Sequence, residues 1–390
     1  MVILSRYNYL MGKNIKRIID IDTSQSSILW GARKTGKSYW INQKLNPEEI
    51  ILIDLLKTDI FAEYASRPSL IKERFQDTGK LIVLDEIQKV PMLLDEVHWM
   101  IENKKIIFLL TASSARKLRR EHANLLAGRA LRYELLPFSY MEVKENNLEK
   151  LMVSGMLPPH FLSSKPIDSI RSYVADYLKE EIVQEARIQK IPQFGQFLRI
   201  AAITSGELLN YDNVARETGV SSKIVRSYFD ILEDTMLGFK IVPWKSSKNR
   251  RLITAEKFYL FDTGIANYLS GRQPKEGTPE FGKSFEHFIL MELKAYKSYR
   301  NPELDITYWR TSTGYEVDFI LADKVVALVI KSGRMVFDKD LKSLKALRED
   351  GKIKHILVVS QEKHPRELDG IRILPWQIFL EMLWNKEFDI

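Results

Sequence analysis

Ile28-Leu29-Trp30-Gly31-Ala32-Arg33-Lys34-Thr35-Gly36-Lys37-Ser38 opens with three apolar residues, runs into a glycine and closes on Gly-Lys-Ser. This is the Walker A spacing, GxxxxGK[ST], in its proper setting of a short apolar strand before and a helix after. Successive backbone N–H groups of such a loop form a concave cradle for phosphate oxygens. The helix starting near Lys37 adds the partial positive charge of its N-terminus. Gly31 and Gly36 permit backbone angles and close approach that a Cβ would hinder. Lys37 is expected to neutralise β- and γ-phosphates, and the Ser38 hydroxyl to take one Mg²⁺ position. The spacing alone would also suit a glycine turn on a basic surface, and a second motif weighs against that.

Lys80-Leu81-Ile82-Val83-Leu84-Asp85-Glu86 reads as a buried parallel strand with two carboxylates at its C-terminal end. Ligands of open α/β sheets bind at that end. Asp85 is placed to hold Mg²⁺ through water and Glu86 to orient and activate the attacking water. Further apolar runs at 50–54, 105–111 and 131–136 alternate with helical stretches at 38–45, 60–76 (broken near Pro68), 91–103 and 115–127. Strands alternating with helices give an α/β fold with a parallel sheet covered on both faces. Residues 1–25 read as a short lead helix.

The chain has 390 residues, 45% hydrophobic and 28% charged, enough for two or three domains of ordinary globular composition. Its net charge of +8 favours acidic partners, nucleic acid above all. With no cysteine, disulfides, thiol catalysis and Cys-ligated zinc are excluded, and a reducing, cytoplasmic location is expected. No apolar run reaches the length of a membrane span, and the basic N-terminus lacks the apolar core of a signal peptide. The histidines form no HExxH pattern.

Several stretches together resemble the prokaryotic AAA-superfamily ATPases that carry a C-terminal domain of unknown function. They are residues 31–38, Leu84-Asp85-Glu86-Ile87-Gln88, Leu110-Thr111-Ala112-Ser113-Ser114-Ala115-Arg116, Leu126-Ala127-Gly128-Arg129, Pro137-Phe138-Ser139-Tyr140, Tyr259-Leu260-Phe261-Asp262-Thr263-Gly264 and Glu316-Val317-Asp318-Phe319. The resemblance implies ATP as the nucleotide, a middle winged-helix region and a C-terminal nuclease-like fold. It makes Ser113 the preferred γ-phosphate sensor and Thr111 the alternative, against a simple helix-capping role for both hydroxyls. It also puts Arg129 where such proteins carry an arginine finger reaching a neighbouring subunit, with a structural salt bridge as the competing role.

In the middle, apolar spacing predicts an amphipathic helix over 166–190 and a helix–turn–helix over 208–218 and 223–233, with Gly219 in the turn and Ser221 or Ser222 as N-cap. Lys223 and Arg226 are left for a DNA groove. Strands at 237–242 and 251–259 flank a basic tip where Lys245, Lys248 and Arg250 suit a phosphate backbone. Acidic residues on the second helix favour a protein contact instead. Leu269-Ser270-Gly271-Arg272-Gln273 reads as a linker.

From Pro274, a helix at 281–299 and strands at 306–310, 315–321, 325–330 and 355–359 resemble the PD-(D/E)xK nuclease fold. That resemblance implies that Asp318 and Lys331 take part in holding a metal and activating water; Glu316, on the strand face of Asp318, and Glu286, from the helix, offer a rearranged metal site. Val329 stands where the second acid belongs, and valine cannot ligate Mg²⁺. The expected organisation is a lead segment (1–25), an AAA-type ATPase domain (26–160), a winged-helix domain (161–272) and an inactive nuclease-like domain (273–390). The expected function is ATP hydrolysis with Mg²⁺ acting on or with duplex DNA. The alternatives are a nucleotide-controlled DNA- or protein-binding switch with little turnover and, third, a metal-dependent nuclease. A homo-oligomer or a protein partner is compatible with the pattern; a membrane is not.

Overall fold

The computed structural model describes residues 15–115, 118, 126, 128–181, 188–244, 251–323, 325–351 and 353–390. Of the expected lead helix, 1–14 lie outside these residues, and 15–26 contain no helix. Their burial alternates instead: Arg17, Ile19 and Ile21 point inward, Lys16, Asp20 and Asp22 outward. A period of two belongs to extended chain, and here it lays the segment along the first domain.

That domain follows the predicted alternation closely: β1 (Ser27–Trp30), α1 (Lys37–Lys44), β2 (Ile50–Asp54), α2 (Thr58–Ser66), α3 (Leu70–Phe75), β3 (Leu81–Asp85), α4 (Leu93–Lys104), β4 (Phe108–Ala112) and β5 (Leu131–Glu134). The helix expected at 115–127 falls mostly outside the described residues. All strands pair in parallel in the order β2-β3-β4-β1-β5. Central β3 and β4 are almost wholly buried, as sheets covered on both faces require. Their C-terminal ends lie beside the turn that leaves β1, because Trp30 registers with Ala112 and with Glu134.

The middle unit is helical: α5 (Tyr140–Val143), α6 (Leu148–Ser154), α7 (Pro158–Phe161), α8 (Pro166–Tyr173), α9 (Ile191–Ile203), α10 (Tyr211–Thr218) and α11 (Ser222–Asp234), then β6 (Gly238–Ile241), β7 (Lys257–Leu260) and α12 (Thr263–Ser270). The helix expected over 166–190 is α-helical only to Tyr173. It widens to a π-helix over Val174–Glu181, and 188–190 are non-helical. The wider turn holds Tyr177 against Tyr173, ring centroids 5.1 Å apart. α10 starts later than predicted because Leu208 bridges to Lys257 and Asn210 caps the helix by accepting from Asn213 N. Ser221 caps α11, and the strand predicted over 251–259 shortens to β7. Gly271, inside the stretch read as a linker, ends α12 in the left-handed region.

The third unit is α13 (Pro279–Arg300), β8 (Ile306–Arg310), β9 (Glu316–Leu321), β10 (Val326–Lys331), α14 (Lys342–Asp350), β11 (His355–Ser360), β12 (Arg366–Leu368), β13 (Ile371–Pro375) and α15 (Trp376–Trp384). Its sheet is mixed, in the order β12-β13-β11-β10-β9-β8. Along β10, Val326, Leu328 and Ile330 pack on the side of α13 and α15, while Ala327 and Val329 pack on the side of α14. The α13-side core also takes in Leu136 and Phe138, just past β5, and Tyr140, Leu151 and Met156 of the middle unit, so the third unit shares apolar contacts with both of the others.

Tyr259-Leu260-Phe261-Asp262-Thr263-Gly264 turns out to be a packing joint. Asp262 Oδ2 accepts from Met156 N (2.7 Å) and Leu157 N (3.1 Å), while Oδ1 accepts from Ile265 N (3.0 Å). A Cβ on Gly264 would lie 2.5 Å from Gly155 N, so the backbones of α12 and the α6 terminus touch only because residue 264 is glycine, while a Cβ on Gly155 would strike the Asp262 carboxylate.

Candidate active site

Parallel pairing brings the ends of β1, β3 and β4 together, and with them nearly every residue singled out by the two nucleotide motifs. The loop over 31–38 leaves β1 with Gly31 N donating to Ala112 O at 3.1 Å. Gly36 adopts φ 99°, a left-handed angle that turns the chain into α1 at Lys37. Lys37 is buried, its Nζ donating to Gly31 O at 2.8 Å and lying 3.5 Å from Glu86 Oε1. Burial lowers its pKa against the opposing pull of Glu86 and Asp85. The Arg33 guanidinium lies over the Tyr177 ring at 5.3 Å, so the middle unit touches the loop.

Asp85 and Glu86 are both buried, and their carboxylates accept from different hydroxyls, two for Asp85 and one for Glu86. Ser38 Oγ donates to Asp85 Oδ2 at 2.8 Å, and Thr111 Oγ1 donates to Asp85 Oδ1 while accepting from Glu86 N at 2.9 Å. Ser113 Oγ donates to Glu86 Oε2 at 2.7 Å, and Gln88 Nε2 reaches both Ser113 Oγ, at 2.8 Å, and Glu86 Oε2. Burial raises the Asp85 pKa against the hydrogen bonds from Thr111 and Ser38. For Glu86 burial also works upward, yet Lys37, Ser113 and Gln88 together hold it below the ordinary carboxylate value. Two neighbouring acids thus differ in proton affinity, the usual mark of divided roles. Glu86 sits at φ 62°, in the left-handed region where non-glycine residues are uncommon, and this swings its carboxylate toward Lys37.

Arg129 lies at the other end of β5. Leu131 registers with Ser27 at the start of β1, and the Arg129 Nε pairs with Glu102 of α4. Lys223 and Arg226 are exposed on α11, the latter 4.0 Å over the Tyr211 ring. Lys245, Lys248 and Arg250 lie outside the described residues. At the far end of α11, Asp234 O accepts from Ala115 N at 2.8 Å, joining that helix to the loop after Ser113.

The metal site implied by the nuclease resemblance does not fit the residues present. Glu286, Glu316 and Asp318 do converge, but around a lysine from β7. Lys257 Nζ lies 2.7 Å from Glu316 Oε1 and 3.5 Å from Glu286 Oε1. Arg310 pairs with Glu316 Oε2 at 3.1 Å, and Tyr259 Oη donates to Glu286 Oε1 at 2.6 Å. Asp318 Oδ2 accepts from Ile330 N at 2.6 Å. Lys331 is on the Val329 face of β10, its Nζ 4.0 Å from Asp340 Oδ1, and Val329 is in the α14-side core. An ammonium among the carboxylates repels any second cation. Among the described residues no group of three His, Asp or Glu is placed to hold a metal ion.

Sequence reasoning passed over Gln88, Lys257 and Arg17. Gln88 carried a signal, since it lies two residues beyond Glu86. Lys257 and Arg17 are basic residues in the inward phase of extended segments, which reads as a broken apolar pattern until their partners are known.

Residues 23–144 match the family described as AAA domain. Residues 145–276 and 281–379 match two domains of unknown function, DUF8612 and DUF4143. An uncharacterized protein of Mycobacterium tuberculosis is 28% identical over 246 residues, 61% of this chain and 55% of that one. The chain thus spans little more than half of that relative. An uncharacterized Haemophilus influenzae protein is 21% identical over 409 residues, 95% of this chain and 97% of its own length. Among solved structures, Aeropyrum pernix ORC1 in complex with DNA is similar at a TM-score of 0.29 and 11% identity, over 63% of this chain and 86% of that one. Can2 of Sulfobacillus thermosulfidooxidans, in complex with cyclic tetra-adenylate, is similar at 0.22 and 11%, over 94% and 100%. Scores this low carry no argument about the present chain. The parallel sheet and the family match agree that the first unit is an AAA-type α/β domain. Among the described residues no helix is long and apolar enough to cross a membrane.

Proposed function

We propose that the chain binds ATP with Mg²⁺ at residues 31–38 and hydrolyses it, using the turnover to govern a contact with DNA. The observation that carries this reading is the convergence of Lys37, Ser38, Asp85 and Glu86 at one end of a parallel sheet. The loop amides and the α1 N-terminus hold phosphate oxygens. Lys37 gives up its carbonyl partners for phosphate, gaining a full charge in place of a dipole. Ser38 and Asp85, already 2.8 Å apart, are the residues that would hold Mg²⁺. When bound, Mg²⁺ would supply positive charge against that of the phosphates.

Glu86, ionised at neutral pH, accepts a proton from the attacking water. Ser113 and Gln88 aim its carboxylate, while Thr111 orients Asp85. The sensor role therefore divides in two, Ser113 serving the base and Thr111 the metal carboxylate. Arg129, at the far end of β5, serves nucleotide chemistry only on a neighbouring chain.

The Ala115–Asp234 hydrogen bond favours a second reading, a switch with little turnover. In it, Lys223 and Arg226 on α11 meet a phosphate backbone or an acidic protein according to the nucleotide bound. The test is Glu86→Gln in the full chain. It is expected to retain ATP binding and lose hydrolysis by about 100-fold or more. Normal hydrolysis by this variant would remove Glu86 from its role. Equal affinity for duplex DNA with ATP and with ADP would remove the switch, because a switch requires differential binding.

A further inference from the structure

The strongest unassigned feature is the buried arginine ahead of β1. Arg17 is 2% exposed, and its guanidinium is bonded on every side. Nε donates to Glu142 Oε1 at 2.8 Å, and Nη2 donates to Leu136 O at 2.7 Å and Tyr299 Oη at 2.9 Å. Nη1 donates to Thr35 O, inside the phosphate loop, at 2.6 Å. The Phe138 ring lies beneath, 5.2 Å from the guanidinium carbon.

We infer that Arg17 is a positioning residue for the phosphate loop, wiring it to α13 of the third unit through Tyr299. In a trans peptide the carbonyl and the following N–H point in opposite directions. Fixing the Thr35 oxygen on Arg17 therefore turns the Gly36 N–H to the other side of the loop, toward the cradle. Gly36 alone has two-sided freedom of φ, so without that anchor this peptide can rotate. The arginine fork suits the task because it donates in several fixed directions and stays charged when buried.

The seat for the fork is Pro137-Phe138-Ser139-Tyr140, which the nucleotide chemistry leaves unexplained. Phe138 supplies the ring under the guanidinium. Ser139 N donates to Glu142 Oε2 at 2.9 Å, aiming Oε1 at Arg17, and Ile18 N donates to the same Oε1 at 2.9 Å. Tyr299 Oη also accepts from Leu136 N at 3.0 Å. Loop, β5 exit and α13 thus share one guanidinium.

This inference rests on the nucleotide reading, so titration of wild-type full-length chain with ATP–Mg²⁺ and ADP–Mg²⁺ by calorimetry comes first. No binding there sinks the proposed function and takes the role of Arg17 with it. Given wild-type binding, Arg17→Lys keeps the charge but not the fork. It is expected to raise Kd about tenfold or more, the scale of a charge-assisted hydrogen bond. ATP and ADP should weaken alike, because loop amides grip phosphates common to both. Tyr299→Phe, which keeps the ring and the fold, is expected to raise both Kd values by about threefold, the low end for a single hydrogen bond. The number of sites per chain should stay at the wild-type value in both variants. Wild-type Kd with fewer sites, or no change at all, would reduce Arg17 to a structural residue. If Arg17→Lys does not fold, Tyr299→Phe decides the outcome alone.

Discussion

Two buried lysines, Lys37 and Lys257, face carboxylates, and they are opposites. Lys37 Nζ is 2.8 Å from a main-chain carbonyl and 3.5 Å from its nearest carboxylate, with burial lowering its pKa. Lys257 Nζ is 2.7 Å from Glu316 and 3.5 Å from Glu286. Burial works downward there too, but Glu286, Glu316 and Asp318 overcome it and raise the pKa. The first charge is under-compensated and gains from an incoming anion. The second is saturated and has nothing to offer a ligand. A chemical site and a structural one are thus told apart by whether the cation still lacks charge around it.

Lys37→Met should separate the two most sharply. ATP affinity is expected to fall by about 100-fold or more, as when a buried charge partner is truncated. Stability in a urea melt should move by no more than about 1 kcal/mol, because an under-compensated ammonium contributes little to folding. Lys257→Met should do the reverse, costing about 2 kcal/mol by leaving the half-buried Glu286 and Glu316 without their buried partner, while leaving the ATP Kd unchanged. A harmless Lys257→Met would dissolve the contrast.

A third buried charge sharpens it further. Glu292 of α13 accepts from Tyr140 N at 2.7 Å on Oε1, and burial lifts its pKa from 4.5 to about 8. A raised carboxyl pKa means that the native state holds a proton which the unfolded chain has already released. Its contribution therefore falls as pH climbs from about 4.5 to about 8, by at most about 1.4 kcal/mol per unit. Glu292→Gln should flatten that slope in denaturant melts at pH 5.5 and 8, and an unchanged slope would contradict the burial account. The smallest effect belongs to Ser113→Ala. It removes one of the hydrogen bonds aiming Glu86, with an expected loss of about fivefold in hydrolysis at saturating ATP. Thr111→Val should instead raise the Mg²⁺ concentration required.

The first domain was legible because its signals are local. β2 falls on residues 50–54 and β3 begins at Leu81, as the apolar runs require, and the loop and the two carboxylates carry their chemistry in their spacing. The helix–turn–helix read nearly as well, since Gly219 and Ser221 mark its turn. Legibility failed where a residue's meaning depends on a distant partner. Arg17 finds Tyr299 across 282 positions, and Lys257 finds carboxylates on α13 and β9, so neither has a sequence signature. The nuclease resemblance identified Glu286 and Asp318 but not the lysine between them. β12, β13, α14 and α15 were not read at all; after residue 359 a short edge strand and an apolar terminal helix lack strong punctuation.

The hydrogen bond from Ala115 N to Asp234 O ties the C-terminal end of α11 to the chain just past Ser113. α11 has 13 residues, about 20 Å at 1.5 Å per residue, with Lys223 near the end away from that tie. A tilt of about 3° at the pivot sweeps that end through about 1 Å over such a length. In the proposed switch, such a tilt would carry a sub-ångström adjustment near Ser113 outward to Lys223.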